Sequence, residues 1–136
     1  MIRTICQDQE ILSAPSRKAV KKDLRLTRDL VDTMLAYPGC AGIAADIIGE
    51  NIQMLAVKIL DEPVVMINPV IVMQKDPYQA LEGCLSHPGL ETEVTRSFVI
   101  EVEYRDRRWK RSRMRLTGVS AQAVQHEMDH FQGILI

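Results

Sequence analysis

His126-Glu127-Met128-Asp129-His130 carries two of the chain's three histidines, four positions apart. Residues four apart on an α-helix share a face, one turn from each other. Two imidazoles so placed can grip one cation, and a glutamate directly after the first histidine can reach a water on that cation. Two unrelated helix histidines are the plainer reading, but the glutamate stands at the position the chemistry needs. Residues 131–136 hold no Glu, Asp, His or Cys. A third ligand is therefore expected upstream, and metallopeptidases that take it downstream are set aside.

The best upstream candidate lies in Glu82-Gly83-Cys84-Leu85-Ser86-His87-Pro88-Gly89. A thiolate is a strong ligand for zinc or ferrous iron, and a metal would hold it deprotonated. Gly83, Pro88 and Gly89 let the backbone turn and approach closely. The Glu82 carboxylate is a rival ligand, or a group that supports one. Were Cys84 and His87 both to join the helix pair, four protein ligands would close the site and make it structural. With Cys84 alone a corner stays open for water, which is the catalytic arrangement. Spacing leaves both readings open. Cys6 and Cys40 lack such a setting and read as packing residues.

The helix that carries the histidines is expected over Val119 to Gln132, with Ala121, Val124, Met128 and Phe131 at helical spacing and Gly133 at its C-terminal cap. An earlier helix is expected from Asp23, as N-cap, to Tyr37, stopped by Pro38-Gly39. Strands are expected over Ile52 to Leu60, Val64 to Met73 (broken at Asn68-Pro69), Phe98 to Tyr104 and Trp109 to Leu116, with Arg105 to Arg108 as a hairpin tip. This order suggests an α+β fold, one domain over residues 1–136, with antiparallel sheets packed around the C-terminal metal-binding helix.

Composition agrees. Hydrophobic residues at 46% and charged residues at 26% of 136 residues are ordinary for a folded globular chain. A net charge of −1 supplies no global field toward nucleic acid or membrane, and neither a membrane nor DNA is an expected partner. Met1 to Pro15 lacks the apolar core of a signal peptide, and the three cysteines are widely spaced, so a cytoplasmic location and reduced thiols are expected.

Three segments together resemble the motifs of the peptide deformylases, in that family's order: Gly42-Ile43-Ala44-Ala45, Glu82-Gly83-Cys84-Leu85-Ser86 and His126-Glu127-Met128-Asp129-His130. Asp29 to Met34 is similar to the family's first helix, and Met66-Ile67-Asn68-Pro69 to its Asn-Pro strand end. The resemblance implies Cys84, His126 and His130 as ligands of one divalent metal ion, with water in the fourth position. Ferrous iron is implied in the cell, and zinc or nickel in isolated protein. It implies Glu127 as general acid/base and His87 as a non-ligand neighbour. The implied reaction removes the formyl group from the N-terminal formyl-methionine of nascent polypeptides, so N-formylmethionyl peptides are the expected partners. In that reaction the Leu85 backbone N–H is placed to donate to the developing oxyanion. Gly42, Ile43 and Val124, with residues near Leu90, are expected around the substrate. Arg96 matches a family arginine and is expected to pair with Asp129.

The chain departs from the family in its first motif, where Cys40 replaces a glycine and Ile47 stands at the position of a glutamine. That glutamine donates to the substrate oxygen in the family. Isoleucine has no donor, and an ionised Asp46 only accepts. Losing one oxyanion donor costs roughly 10²–10³ in turnover. A deformylase of reduced activity follows from this change. The alternatives are a deformylase-like protein with another substrate or a binding role, and a structural-metal domain. Separately, Arg105, Arg107, Arg108, Lys110, Arg111, Arg113 and Arg115 form a basic stretch that can track phosphates, as in a ribosome contact. Such a stretch is more often a solvated strand pair, and Glu101, Glu103 and Asp106 lie near enough in sequence to offset it.

Overall fold

The computed structural model describes residues 1–134, and the His87 side chain lies outside the described residues. Its elements are α1 (Gln9–Leu12), α2 (Thr27–Leu35), β1 (Gly42–Ala44), β2 (Met54–Ile59), β3 (Glu62–Cys84), β4 (His87–Arg105), β5 (Arg111–Thr117) and α3 (Gly118–His130). The five strands form one antiparallel sheet in sequence order, and with α3 packed against it they make the expected α+β fold.

Side-chain alternation along β2 explains how the layers stack. Met54 and Ala56 face a core shared with Leu30, Met34, Ile43 and Ile47. Leu55 and Val57 face a second core shared with Ala121, Val124 and Phe131 of the α3 segment. Successive strand residues point to opposite faces, so β2 is buried on both sides, between α2 and α3. Full burial of one such aliphatic side chain contributes about 1.5–3 kcal/mol.

Turn chemistry sets the register. β2 and β3 meet at Leu60-Asp61, both at positive φ (51° and 65°), which is the two-residue turn that matches strand twist. The expected break at Asn68-Pro69 is instead a bulge, with a register shift between Ile67 and Val70. Proline lacks the ladder's N–H and is tolerated there. The Asn68 amide anchors the bulge by accepting from the Ala19 N–H (2.8 Å) and donating to the Ala19 carbonyl (3.0 Å). Sequence periodicity therefore stops β3 too early: the strand runs on to Cys84 and pairs with β4 through the turn Leu85-Ser86.

The start of the first long helix and the β4–β5 tip also differ from expectation. Residues Lys21–Leu26 form a 3₁₀ turn before α2 begins at Thr27. Asp23 caps that turn from within rather than starting the α-helix. Its carboxylate accepts the Val20 N–H at 2.8 Å and the Arg17 guanidinium at 3.0 and 3.2 Å. The β4–β5 tip spans Asp106 to Lys110, and the Asp106 carboxylate takes the N–H groups of Arg108 and Lys110. Gly133 ends the α3 segment at φ +76°, where a Cβ would also run into the Ser13 backbone. Among the described residues, no helix is long and apolar enough to cross a membrane.

Candidate metal centre

Helix α3 presents His126, Glu127 and His130 from its last turns, and the end of β3 brings Glu82 and Cys84 opposite them. Glu82 and Cys84 flank a register shift in the β3–β4 ladder, and both reach the α3 histidines, Glu82 at His126 and Cys84 at His130. Cys84 Sγ lies 3.5 Å from His130 Nε2, which lies 3.3 Å from His126 Nε2. One donor atom from each of these three residues falls within 4.8 Å of the others.

This donor set fits a divalent cation. Two imidazole Nε2 atoms 3.3 Å apart with a cysteine sulfur beside them are donors that zinc or ferrous iron takes, and they are close enough to share one ion. Burial works to raise the Cys84 thiol, but the two imidazoles outweigh it and hold its pKa at about 7. Burial works to lower both histidines. Against it, Cys84 and Glu82 raise His126, and Asp46 and Cys84 raise His130. The protons retained here are those that metal binding must displace.

Behind the ligands stands a buried charge network. His126 Nδ1 lies 2.7 Å from Glu82 Oε1. Arg96, reached through the β3–β4 ladder, donates to Glu82 at 2.6, 3.0 and 3.2 Å and to Asp129 at 2.6 Å. The expected Arg96–Asp129 pair is therefore present. The Glu82 link to both Arg96 and His126 goes beyond that expectation. Its only signal in the sequence is the nearness of Glu82 to Cys84. Burial of Glu82 favours its protonated form, but His126 and Arg96 overcome this and hold its pKa down at about 2.

A cleft of about 820 Å³ opens beside the three donors. Gly42, Ile43, Ile47, Leu85, Leu90 and Glu127 line it, and Val124 does not: it is fully buried in the core on the sheet side. Gly42 has to be small, because a Cβ there would lie 3.1 Å from Val57, 3.2 Å from the Ala56 carbonyl and 3.4 Å from Glu127 Cγ. Burial pushes the Glu127 carboxyl up from its ordinary range. Ile47 is 2% exposed, on the 3₁₀ turn Ala45–Ile48 after β1. Cys40 also lines the cleft, its Sγ donating to the Gly42 carbonyl at 3.0 Å, with burial and the Glu127 charge keeping it a thiol. Cys6 packs against the α2-side core.

Far from the cleft, the basic stretch is partly compensated within the sheet. Arg113 meets Glu101 at 2.6 Å, and Arg105 lies over the Trp109 ring at 5.5 Å. Arg107, Arg108, Lys110 and Arg111 are exposed.

The profile of the polypeptide deformylase family matches residues 2–136. A peptide deformylase of Clostridium beijerinckii is 40% identical over 137 residues, covering 100% of both chains. One from Dictyoglomus thermophilum is 37% identical over 140 residues, covering 100% of this chain and 91% of its own. The crystal structure of the Thermus thermophilus peptide deformylase superposes with a TM-score of 0.90 at 34% identity, over 99% of this chain and 84% of that one.

Proposed function

The chain belongs to the polypeptide deformylase family, and on that premise we propose that Cys84, His126 and His130 hold the divalent metal of a deformylase centre with Glu127 as its proton carrier. The activity is hydrolysis of the N-formyl group of formylmethionyl peptides, which releases formate. The observation that carries the residue assignment is the convergence of one sulfur and two Nε2 atoms at the edge of the cleft.

A bound divalent cation supplies Lewis acidity, lowering the pKa of water and polarising the formyl oxygen. Ferrous iron is the proposed metal in the cell, in a cytoplasmic enzyme, because a thiolate with two imidazoles suits it as well as zinc. Glu127 accepts a proton from the attacking water and passes it to the leaving amine. Its buried site and raised pKa support that exchange. The Leu85 N–H, in the turn after Cys84, donates to the developing oxyanion. Gly42 and Ile43 flank the bound peptide, and the whole chain acts as one domain.

Ile47 occupies the position of an oxyanion donor and brings none, so the proposed enzyme turns over roughly 10²–10³ more slowly than one with the amide. The test is formate release from formyl-Met-Ala by iron-loaded protein prepared without oxygen, with Glu127→Ala as control. Equal rates for the two proteins would remove Glu127 from its role. A ribosome contact is the second reading, supported by exposed Arg107, Arg108, Lys110 and Arg111. It requires salt-sensitive co-sedimentation with ribosomes that charge reversal at these four residues abolishes.

A further inference from the structure

Asp46 is 0% exposed, yet neither of its carboxylate oxygens has a hydrogen-bond partner among the described residues. His130 Nδ1 is buried and equally without a partner. The two orphans face each other, with Asp46 Oδ2 3.5 Å from His130 Nδ1. That gap is slightly longer than the roughly 2.7–3.2 Å of an N–H···O bond. A buried carboxylate without a donor is costly, and native interiors seldom retain one unexplained.

We propose that Asp46 is a positioning residue of the metal centre, its carboxylate accepting the Nδ1–H of His130 and so fixing the tautomer whose Nε2 lone pair faces the cation. This rests on the ligand set proposed above. Glu82 holds Nδ1 of the other imidazole in the same way, at 2.7 Å. The two carboxylates differ in their surroundings. Glu82 shares its charge with the Arg96 guanidinium. Asp46 sits in a turn whose other members, Ala45, Ile47 and Ile48, belong to the aliphatic core. No guanidinium pairs with it among the described residues, and His130 is the imidazole its carboxylate faces. The turn that lacks an amide donor at Ile47 thus carries a metal-directed carboxylate one residue earlier.

The test uses the full chain loaded with zinc and, separately, with cobalt(II), each titrated against a competing chelator. Asp46→Asn keeps the shape and removes the charge. It should bind either metal about 10–100-fold more weakly and shift the visible cobalt spectrum. Affinity within about twofold of wild type, with an unchanged cobalt spectrum, would overturn the proposal. Nitrogen-15 NMR of the zinc-loaded wild-type chain decides the matter even if the variant fails to fold. A slowly exchanging proton on His130 Nδ1 is expected, whereas protonation at Nε2 or free exchange at Nδ1 would overturn the proposal. Wild-type protein that takes up neither metal overturns the ligand set together with this inference. Metal uptake unaffected by Asp46→Asn overturns the inference alone.

Discussion

Glu82 Oε1 lies 2.7 Å from His126 Nδ1, so one carboxylate both holds an imidazole of the candidate metal centre and closes an ion pair with Arg96. Arg96→Leu would leave Glu82 buried beside His126 without its counter-charge. Removing one partner from a buried pair costs about 3–5 kcal/mol. The urea midpoint should fall by a corresponding amount with little change in slope. A midpoint within error of wild type would show that Arg96 contributes no net stability.

Glu127 is buried beside the cleft, and the proposed function gives it proton transfer rather than metal binding. Glu127→Gln keeps the size and removes the base. Formate release should drop about 10²–10⁴-fold. Metal content by atomic absorption should remain that of wild type, and loss of the metal would mean that Glu127 supports the centre structurally.

At position 47 the aliphatic side chain lines the cleft with no donor. Ile47→Gln should raise kcat on a formyl-Met peptide by about tenfold or more. An unchanged rate would dismiss the missing donor as the cause of low turnover.

A Cβ at Gly42 would press on Val57 at 3.1 Å and on the Ala56 carbonyl at 3.2 Å, both in a packed strand. Gly42→Ala should therefore destabilise the fold by about 1–3 kcal/mol, seen as a lowered Tm, and reduce formate release by displacing Glu127. Wild-type behaviour in both assays would mean that the strand gives way easily.

The Arg17 guanidinium holds Asp23 below the ordinary carboxylate range, against the opposing effect of burial, with the Val20 N–H adding to the depression. A carboxylate whose pKa is lower folded than unfolded contributes stability above its unfolded pKa. That contribution is lost as the pH falls through the folded value. The stability difference between wild type and Asp23→Asn should therefore be full at neutral pH and shrink below about pH 4. A difference that stays constant from neutral to acid pH would remove the ion pair as its source.

The reactive groups are legible in the linear order of residues, because helical geometry is local. His126 and His130 fall on one face from a spacing of four, and Glu127 follows from its place beside them. Glu82 and Cys84, by contrast, lie beyond the expected strand end at Met73, and only the extension of β3 to Cys84 brings them opposite α3. Local pattern fails where a long-range contact overrides it. Asn68-Pro69 reads as a strand end but is a bulge, since Asn68 bonds to Ala19, 49 residues away. Val124 reads as a pocket wall, but the sheet covers it and leaves the cleft to other residues.

The partners that stand behind the ligands emerge only on folding. Arg96 reaches both Glu82 and Asp129 because the β3–β4 register sets it there, and Asp46 meets His130 because the turn after β1 packs under α3. No spacing rule reports such meetings. They depend on the joint packing of three chain segments, and each carboxylate's effect depends on distance and burial, which a linear order of residues does not contain.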